Sequence, residues 1–488
     1  MTGRLATLLC MLVLMLSGCS SLSVPDTTPL PESKLLPPGS ETISRGGYRL
    51  SSFRQGQPES DRLILVAMSG GGKRSAAFSY GVLKGMRAMP IPTPNGPRPL
   101  LDELDAISGV SGGSFTAAYY GLHRDQMFGQ YEKDFLYVDT NAYIFGIYLL
   151  PWNWGWLTNP LVGTNDYMAR IYNRTMFHDA TFQDLQKRGR PLIAIGATDI
   201  SYGTPVLFTQ EMFDLICSDL APLPLASAVA ASNGFPGLFS PVTLTNRRAA
   251  CGDRVPGWLR RVSPADRANP LSRLGAQART VEVYLDPQKT KYVHMADGGI
   301  ADNLGMRVAG SLLHAMTLAP EVFISHGLGN LRRVTIISVD GQGVQNSAIA
   351  QQRVVGGLLS LFGLVSGGQI DRFNFETMVT VNDQLELVAK ALRNARCSHV
   401  PPIDGRRCDD VRADLIHVSL AGIADGPEKE RLLAIPTGLT LRRDDVDGLI
   451  AAGETAVQTN AALLDFISSL APIQDVPARV AQAATRKP

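Results

Sequence analysis

Three short stretches hold residues whose types and spacing can do chemistry. Gly70-Gly71-Gly72 follows an apolar run and precedes a helix-like one. Consecutive glycines there leave backbone N–H groups bare, arranged to receive an anion. Gly109-Val110-Ser111-Gly112-Gly113 has the G-x-S-x-G spacing of a nucleophile elbow. Such a serine stands on a sharp strand-to-helix turn, and its glycine neighbours let the chain bend and a substrate approach. Asp297-Gly298-Gly299 places a carboxylate after another apolar run, with glycines freeing the backbone around it.

Which anion the glycines receive follows from what accompanies them. A nucleotide P-loop needs G-x-x-x-x-G-K-[ST]. With Gly72-Lys73 as its end, the leading glycine falls on Ala67 and the magnesium-binding hydroxyl on Arg74, so the pattern fails twice. A dinucleotide fingerprint fits Gly70 and Gly72 but finds Ser75 at the third glycine, and the acid expected about 20 residues later is missing. The transient oxyanion of an ester under attack fits better, because Ser111 supplies the attacking oxygen. A Ser–acid–His order requires a later histidine after a strand. None of His178, His294, His314, His326, His399 or His417 has that context. Asp297 does follow a strand-like run, and a carboxylate takes a serine proton directly when burial or neighbours raise its pKa. His294 either packs beside that strand or is the base instead.

These residues need a frame. Buried strands are expected at 62–68, 104–110, 190–200, 204–210, 292–299 and 333–340, with helices between them, the first over Lys73–Arg87. Apolar strands without polar alternation, separated by helices, imply an α/β domain with a largely parallel sheet covered on both faces. Two insertions stand out. Residues 141–160 hold Trp152, Trp154 and Trp156, which form either a lipid-facing lip or core beneath a loop. Residues 247–290 are arginine-rich and read as a surface loop. Beyond residue 345 the chain turns mainly helical. "RVVGGLLSLFGLVSGGQI" is too short to span a bilayer and reads as a packed helix. Residues 443–470 have acidic groups in the first turn and a helical apolar period.

The motifs "SGGGKR", "GVSGG" and "DGG", in this order, resemble those of the patatin-like phospholipases, as does "ASNGFPGLFSPV" (231–242). Asn303 also matches that family's D-G-x-x-x-x-N pattern, and the likeness runs from Asp61 to Asp340. Ser75 stands where a glycine commonly follows the cation, and Leu304-Gly305 where Asn-x-Pro is common; both bear on loop shape and spare the dyad. The resemblance implies a three-layer α/β fold, with a central mainly parallel sheet and helices on both faces. It also implies a Ser–Asp dyad of Ser111 and Asp297, in the elbow of Gly109 and Gly113 and the acidic loop of Gly298 and Gly299. Gly70, Gly71, Gly72 and Arg74 map onto its oxyanion loop, Arg74 steadying the loop or offsetting nearby charge. The expected reaction is hydrolysis of an acyl ester in a membrane lipid. Its rivals are a serine esterase or thioesterase on soluble substrates and a silent envelope lipoprotein.

The N-terminus indicates export. Arg4 and the apolar run Leu5–Leu16 read as a signal peptide over 1–18. Leu16-Ser17-Gly18-Cys19 resembles a bacterial lipobox, so Cys19 is expected to carry lipid and to anchor the chain in a membrane. Ser20, rather than aspartate, resembles lipoproteins sorted to the outer membrane. A Pro/Ser-rich tether over 19–60 then leads to a catalytic domain over 61–345 and a mixed, mainly helical extension over 346–488. Four cysteines remain, and sequence proximity favours Cys217–Cys251 and Cys397–Cys408 among three possible pairings. No metal-ligand spacing appears and no cofactor is expected. A formal charge of +2, with no basic stretch interleaved with aromatics, argues against a nucleic-acid partner.

Overall fold

The computed structural model describes residues 26–49, 52, 61–93, 96–154, 162–318, 331–343, 353, 358–398 and 408–470. The signal segment and Cys19 lie outside them, as do Trp156 and residues 354–357 of the apolar run after 345.

An eight-stranded sheet organises the chain. Its strands are β1 (Arg62–Met68), β2 (Ala106–Val110), β3 (Leu192–Asp199), β4 (Thr204–Leu207), β5 (Val242–Thr245), β6 (Tyr292–Asp297), β7 (Arg333–Asp340) and β8 (Arg412–Ser419). The order is β8-β7-β1-β2-β3-β6-β5, with β4 also paired to β3. The run from β8 to β3 is parallel, while β4, β5 and β6 pair antiparallel.

β1 shows how an unbroken apolar run serves two cores. Ile64, Val66 and Met68 point into one, and Leu63, Leu65 and Ala67 into the other. The period-2 alternation of a strand sends them to opposite faces. The first core is closed by α1 (Gly72–Ala88), α2 (Gly112–His123), α5 (Leu225–Ser232) and α8 (Arg443–Thr459). The second is closed by α6 (Arg307–Leu318) and the long α7 (Leu358–Ser398), into which the apolar run after 345 leads. Layers on both faces make this the three-layer α/β architecture expected.

Several expectations change. The segment after residue 345 completes the domain, because its strand β8 pairs along the whole of β7. α8 lies against α1 so closely that a Cβ on Gly81 would sit 2.1 Å from the Ile450 carbonyl oxygen. The helix expected over 443–470 breaks at Asn460. Its backbone is extended, and its side chain accepts from the Leu463 N–H to start a new helix. Residues 247–290 are not a loop; they form short helices around Leu259, Val262 and Ala278.

The tether also differs from expectation. From Asp26 to Arg49 the chain is strapped to the body. Thr28–Pro29 pairs with Ser218–Asp219, and Leu30 and Ile43 pack on the disulfide between Cys217 and Cys251. Arg49 and Asp214 form a buried ion pair at 2.7 Å, with Ser44 donating to the same carboxylate. Further bonds from Arg49 to Ser44 and from Gln210 to Asp214 offset part of the cost of burying this pair. A second disulfide joins Cys397, at the end of α7, to Cys408.

Candidate active site

Strand register brings the serine and the aspartate together. Val110, just before Ser111, is level with Gly196 on β3. Asp297, the last residue of β6, is level with Ala197, one step further along β3. The two side chains therefore emerge side by side at the carboxyl end of the parallel strands, where open α/β sheets place their sites. Ser111 Oγ donates to Asp297 Oδ2 at 2.9 Å, and Asn233 Oδ1 lies 3.3 Å from the same hydroxyl.

The elbow is steric in origin. Ser111 has φ 49° and ψ −119°, a conformation that costs a non-glycine residue about 1–3 kcal/mol. A Cβ on Gly113 would stand 2.5 Å from the Met68 carbonyl oxygen, and one on Gly109 would stand 2.6 Å from that of Gly113. Only glycines let α2 begin this close to the ends of β1 and β2. The strained turn is pinned from two sides. The Ser111 N–H donates to Ser232 Oγ at 2.9 Å, and Ser114 Oγ donates to the Ser111 carbonyl at 2.6 Å.

Residues 232–234, at the end of α5, fasten the acid to the elbow. The Asp297 N–H donates to the Gly234 carbonyl and the Gly298 N–H to that of Ser232. Thus "ASNGFPGLFSPV" has a physical role: one turn holds both halves of the pair. Thr198 Oγ1 donates to the Asp297 carbonyl at 2.8 Å, and the Gly299 N–H donates to Asp297 Oδ1 at 2.7 Å. Burial dominates the electrostatics of this carboxyl and raises its pKa to about 6, against the opposing bonds from Gly299 and Ser111. A base with that pKa is ionised at neutral pH yet more proton-hungry than an ordinary aspartate. Ser111 and Asp297 are only 6% and 7% exposed, so the pair lies in a recess.

The glycine loop differs in detail from the sequence expectation. The Gly70 N–H donates to the Asn303 carbonyl at 2.9 Å, so it is not available to an oxyanion. Close approach explains why residue 70 is a glycine, since a Cβ would lie 2.4 Å from Asn303 Oδ1. Gly71 and Gly72 have φ of 132° and 61°, and their N–H groups meet no acceptor among the described residues. The N–H of Gly112, next to the serine, is equally uncommitted, and the Gly72 carbonyl lies against Gly112. α1 and α2 therefore start side by side beside Ser111, and two helix N-termini give the recess a positive potential. Residue type does not mark Gly112; only its place directly after Ser111 does.

Arg74 is a brace for the loop. Its Nε donates to the Gly341 carbonyl at 2.9 Å, one terminal nitrogen to the Ile435 carbonyl and the other to Thr437 Oγ1. The Lys73 N–H donates to the Gly438 carbonyl, while its buried ammonium donates to the Val138 carbonyl over the Phe135 ring. The glycine loop is thus held from behind by residues 435–438, more than 360 positions downstream. His294 stands apart. Three residues before Asp297, it projects from the other face of β6 and meets Thr243 Oγ1 at 2.9 Å. Among the described residues no histidine bonds to Ser111 or Asp297, and no group of three or more His, Cys, Asp or Glu is placed to hold a metal.

A family model described as patatin-like phospholipase matches residues 66–309, half of the chain. Among solved structures, human GIVD cytosolic phospholipase A2 is similar at 11% identity and a TM-score of 0.40, over 86% of this chain and 64% of that one. The same human protein with methyl gamma-linolenyl fluorophosphonate and terbium chloride is similar at 12% identity and a TM-score of 0.39, over 86% and 61%. The chain thus spans less than two thirds of these structures' length, and comparison with curated proteins gives no match. The family model covers half of the chain and the quoted motifs fall within the matched segment, so the chain belongs to the patatin-like phospholipase family.

Proposed function

We propose that this protein is a lipid acyl hydrolase that cleaves carboxylic esters with a Ser111–Asp297 dyad. The observation that carries the reading is the 2.9 Å bond between a strained serine and a buried carboxylate, with no histidine bonded to either among the described residues. Asp297 takes the proton as Ser111 Oγ attacks the ester carbonyl. The oxyanion is met by the N–H groups of Gly71, Gly72 and Gly112; a donor of this kind is worth about 3 kcal/mol in comparable sites. Collapse of the tetrahedral intermediate expels the alcohol, which recovers the proton from Asp297. Water then attacks the acyl-enzyme as Asp297 accepts its proton; the C–Oγ bond breaks, Asp297 returns that proton to Ser111 Oγ, and the fatty acid leaves. Gly70 and Arg74 keep the loop in shape without touching the reacting atoms.

The proposal includes location. The lipobox-like sequence ending in Cys19 supports a lipid anchor, and Ser20 supports an outer-membrane protein facing the periplasm. Phospholipid is then the abundant ester within reach. The test is hydrolysis by purified variants on phospholipid vesicles and on a soluble short-chain ester. Ser111→Ala and Asp297→Asn are expected to lose both activities by about a thousandfold or more, and His294→Ala to keep most of each. An active Asp297→Asn protein contradicts the dyad, and turnover of the soluble ester alone contradicts a lipid substrate.

A further inference from the structure

One feature of the sequence remains outside this chemistry: the tryptophan-bearing insertion. In the structure it begins as α3 (Thr140–Leu149), whose inner face buries Ile144 and Ile147. Its outer face and the turn beyond it expose Phe145 at 60%, Leu149 at 72% and Trp154 at 51%, with Tyr148 beside them. Exposed apolar side chains gathered this closely on one element are rare on a soluble surface without a partner. Phe235 and Leu238 are also exposed, and they directly follow Asn233 and Gly234, which hold Ser111 and Asp297.

Both groups flank the start of one helix, α4 (Thr164–Tyr172). On one side Asn165 donates to the Ala230 carbonyl, and Ser240 exchanges hydrogen bonds with Thr164 and Asn165. On the other, Gly146 of α3 faces the Tyr167 hydroxyl. The apolar rim therefore runs from α3, past α4, to the mouth of the serine recess.

We propose that α3 with residues 150–154, together with the loop 235–239, seats the protein on a lipid bilayer with the Ser111 recess turned towards it. The proposal rests on the lipid hydrolase reading and adds the surface that delivers the substrate. Charge names the occupant. No Asp, Glu, Lys or Arg occurs from 140 to 165 or from 220 to 246, so both segments are uncharged throughout. A protein partner finds no charge there to orient by, whereas a bilayer interface needs none. Tyr148 and Trp154 are the residue types whose apolar rings and polar tips favour that interface.

Chain length agrees. Asp26 is fixed to Thr245, the last residue of β5, by bonds of 2.9 and 2.8 Å. β5 begins just after Ser240, which touches α4. Seven residue steps separate Cys19 from Asp26, a reach of about 24 Å at most. With lipid on Cys19, the docked strap is a short leash that keeps the Thr245 end of β5 within that reach of the bilayer.

The experiment uses the purified full-length Ser111→Ala protein, inert so that vesicles stay intact, with phosphatidylcholine carrying brominated acyl chains. Trp152, Trp154 and Trp156 are three of the chain's four tryptophans, and Trp154 is exposed on this surface, so quenching reports its depth. The expected result is loss of roughly a third or more of the tryptophan fluorescence, abolished when Phe145→Ser and Leu149→Ser are added. In the protein with Ser111 intact, the same pair is expected to slow vesicle hydrolysis about tenfold and to leave soluble-ester turnover within about twofold. Absent quenching, or quenching indifferent to the two substitutions, overturns the proposal. So does self-association abolished by them, which assigns the surface to a second copy. Failure of the unsubstituted protein to turn over any ester removes the hydrolase reading alone, since quenching is measured without catalysis.

Discussion

Asp297 is held in a position that favours reactivity at the expense of stability. Burial raises its pKa from 3.8 to about 6, so the fold prefers the protonated carboxyl. That preference contributes stability fully present below pH 3.8 and lost as the pH rises through about 6. Two consequences follow for one residue. Activity on a soluble ester should show an acid limb with an apparent pKa near 6, because a protonated Asp297 cannot take the serine proton. Asp297→Asn should raise stability above pH 7 by up to about 3 kcal/mol, with little change at pH 4. Thermal melts of both proteins across that range check the sign. An Asp297→Asn protein that melts lower than its parent at pH 8 would contradict the burial account.

At the scale of elements, the N-terminal strap, the Cys217–Cys251 disulfide and the edge of the sheet form one unit. Leu30 donates its N–H to the Cys217 carbonyl and packs with Ile43 on the disulfide. Closing a loop of sequence separation 34 stabilises by about 3–4 kcal/mol in the chain-entropy account. Replacing both cysteines by alanine should therefore lower stability by about 2–4 kcal/mol. It should also open residues 26–49 to proteolysis before the body is cut. A strap as resistant as in the parent would show that Arg49–Asp214 and the strand pairing hold it alone.

Elements also show what the sequence can reveal. β1 and β7 are legible because runs such as "RLILVAM" and "RVTIISVD" allow little else. β8 is not, since "RADLIHVS" is an edge strand with Arg412 and Asp414 breaking its apolar pattern. β5 is only four residues long. The strap is hidden by its Pro/Ser-rich composition, because a few side chains, Leu30, Ile43 and Arg49, carry its docking. In the site, Ser111 and Asp297 are announced by glycines that only a tight turn requires. Ser232 acts on a backbone N–H, and Asn303 fixes Gly70 through its own carbonyl. Residue type alone therefore says nothing of either role.

Across the whole molecule, the two ends of the chain are tied through α1 and the glycine loop. Gly438 bonds Lys73, Arg74 bonds Ile435 and Thr437, and α8 lies backbone to backbone on α1. A Cβ on Gly453 would sit 2.3 Å from the Phe78 carbonyl oxygen. Gly453→Val should therefore cost roughly 3 kcal/mol or more, and it should also lower kcat, because α1 carries the proposed oxyanion donors, Gly71 and Gly72, at its start. Denaturant melts and soluble-ester kinetics on the same preparation separate the two effects. A destabilised protein with unchanged kcat below its melting range would show that α8 supports the fold without shaping the site.

Activation of Ser111 by Asp297 alone is tested most directly by the rate at which a fluorophosphonate modifies the protein, with the adduct located by peptide mass spectrometry. The predicted result is a single adduct on Ser111, absent in Ser111→Ala, formed about a hundredfold more slowly in Asp297→Asn and at the parent rate in His294→Ala. An adduct on another residue, or an Asp297→Asn protein modified as fast as its parent, would contradict the account.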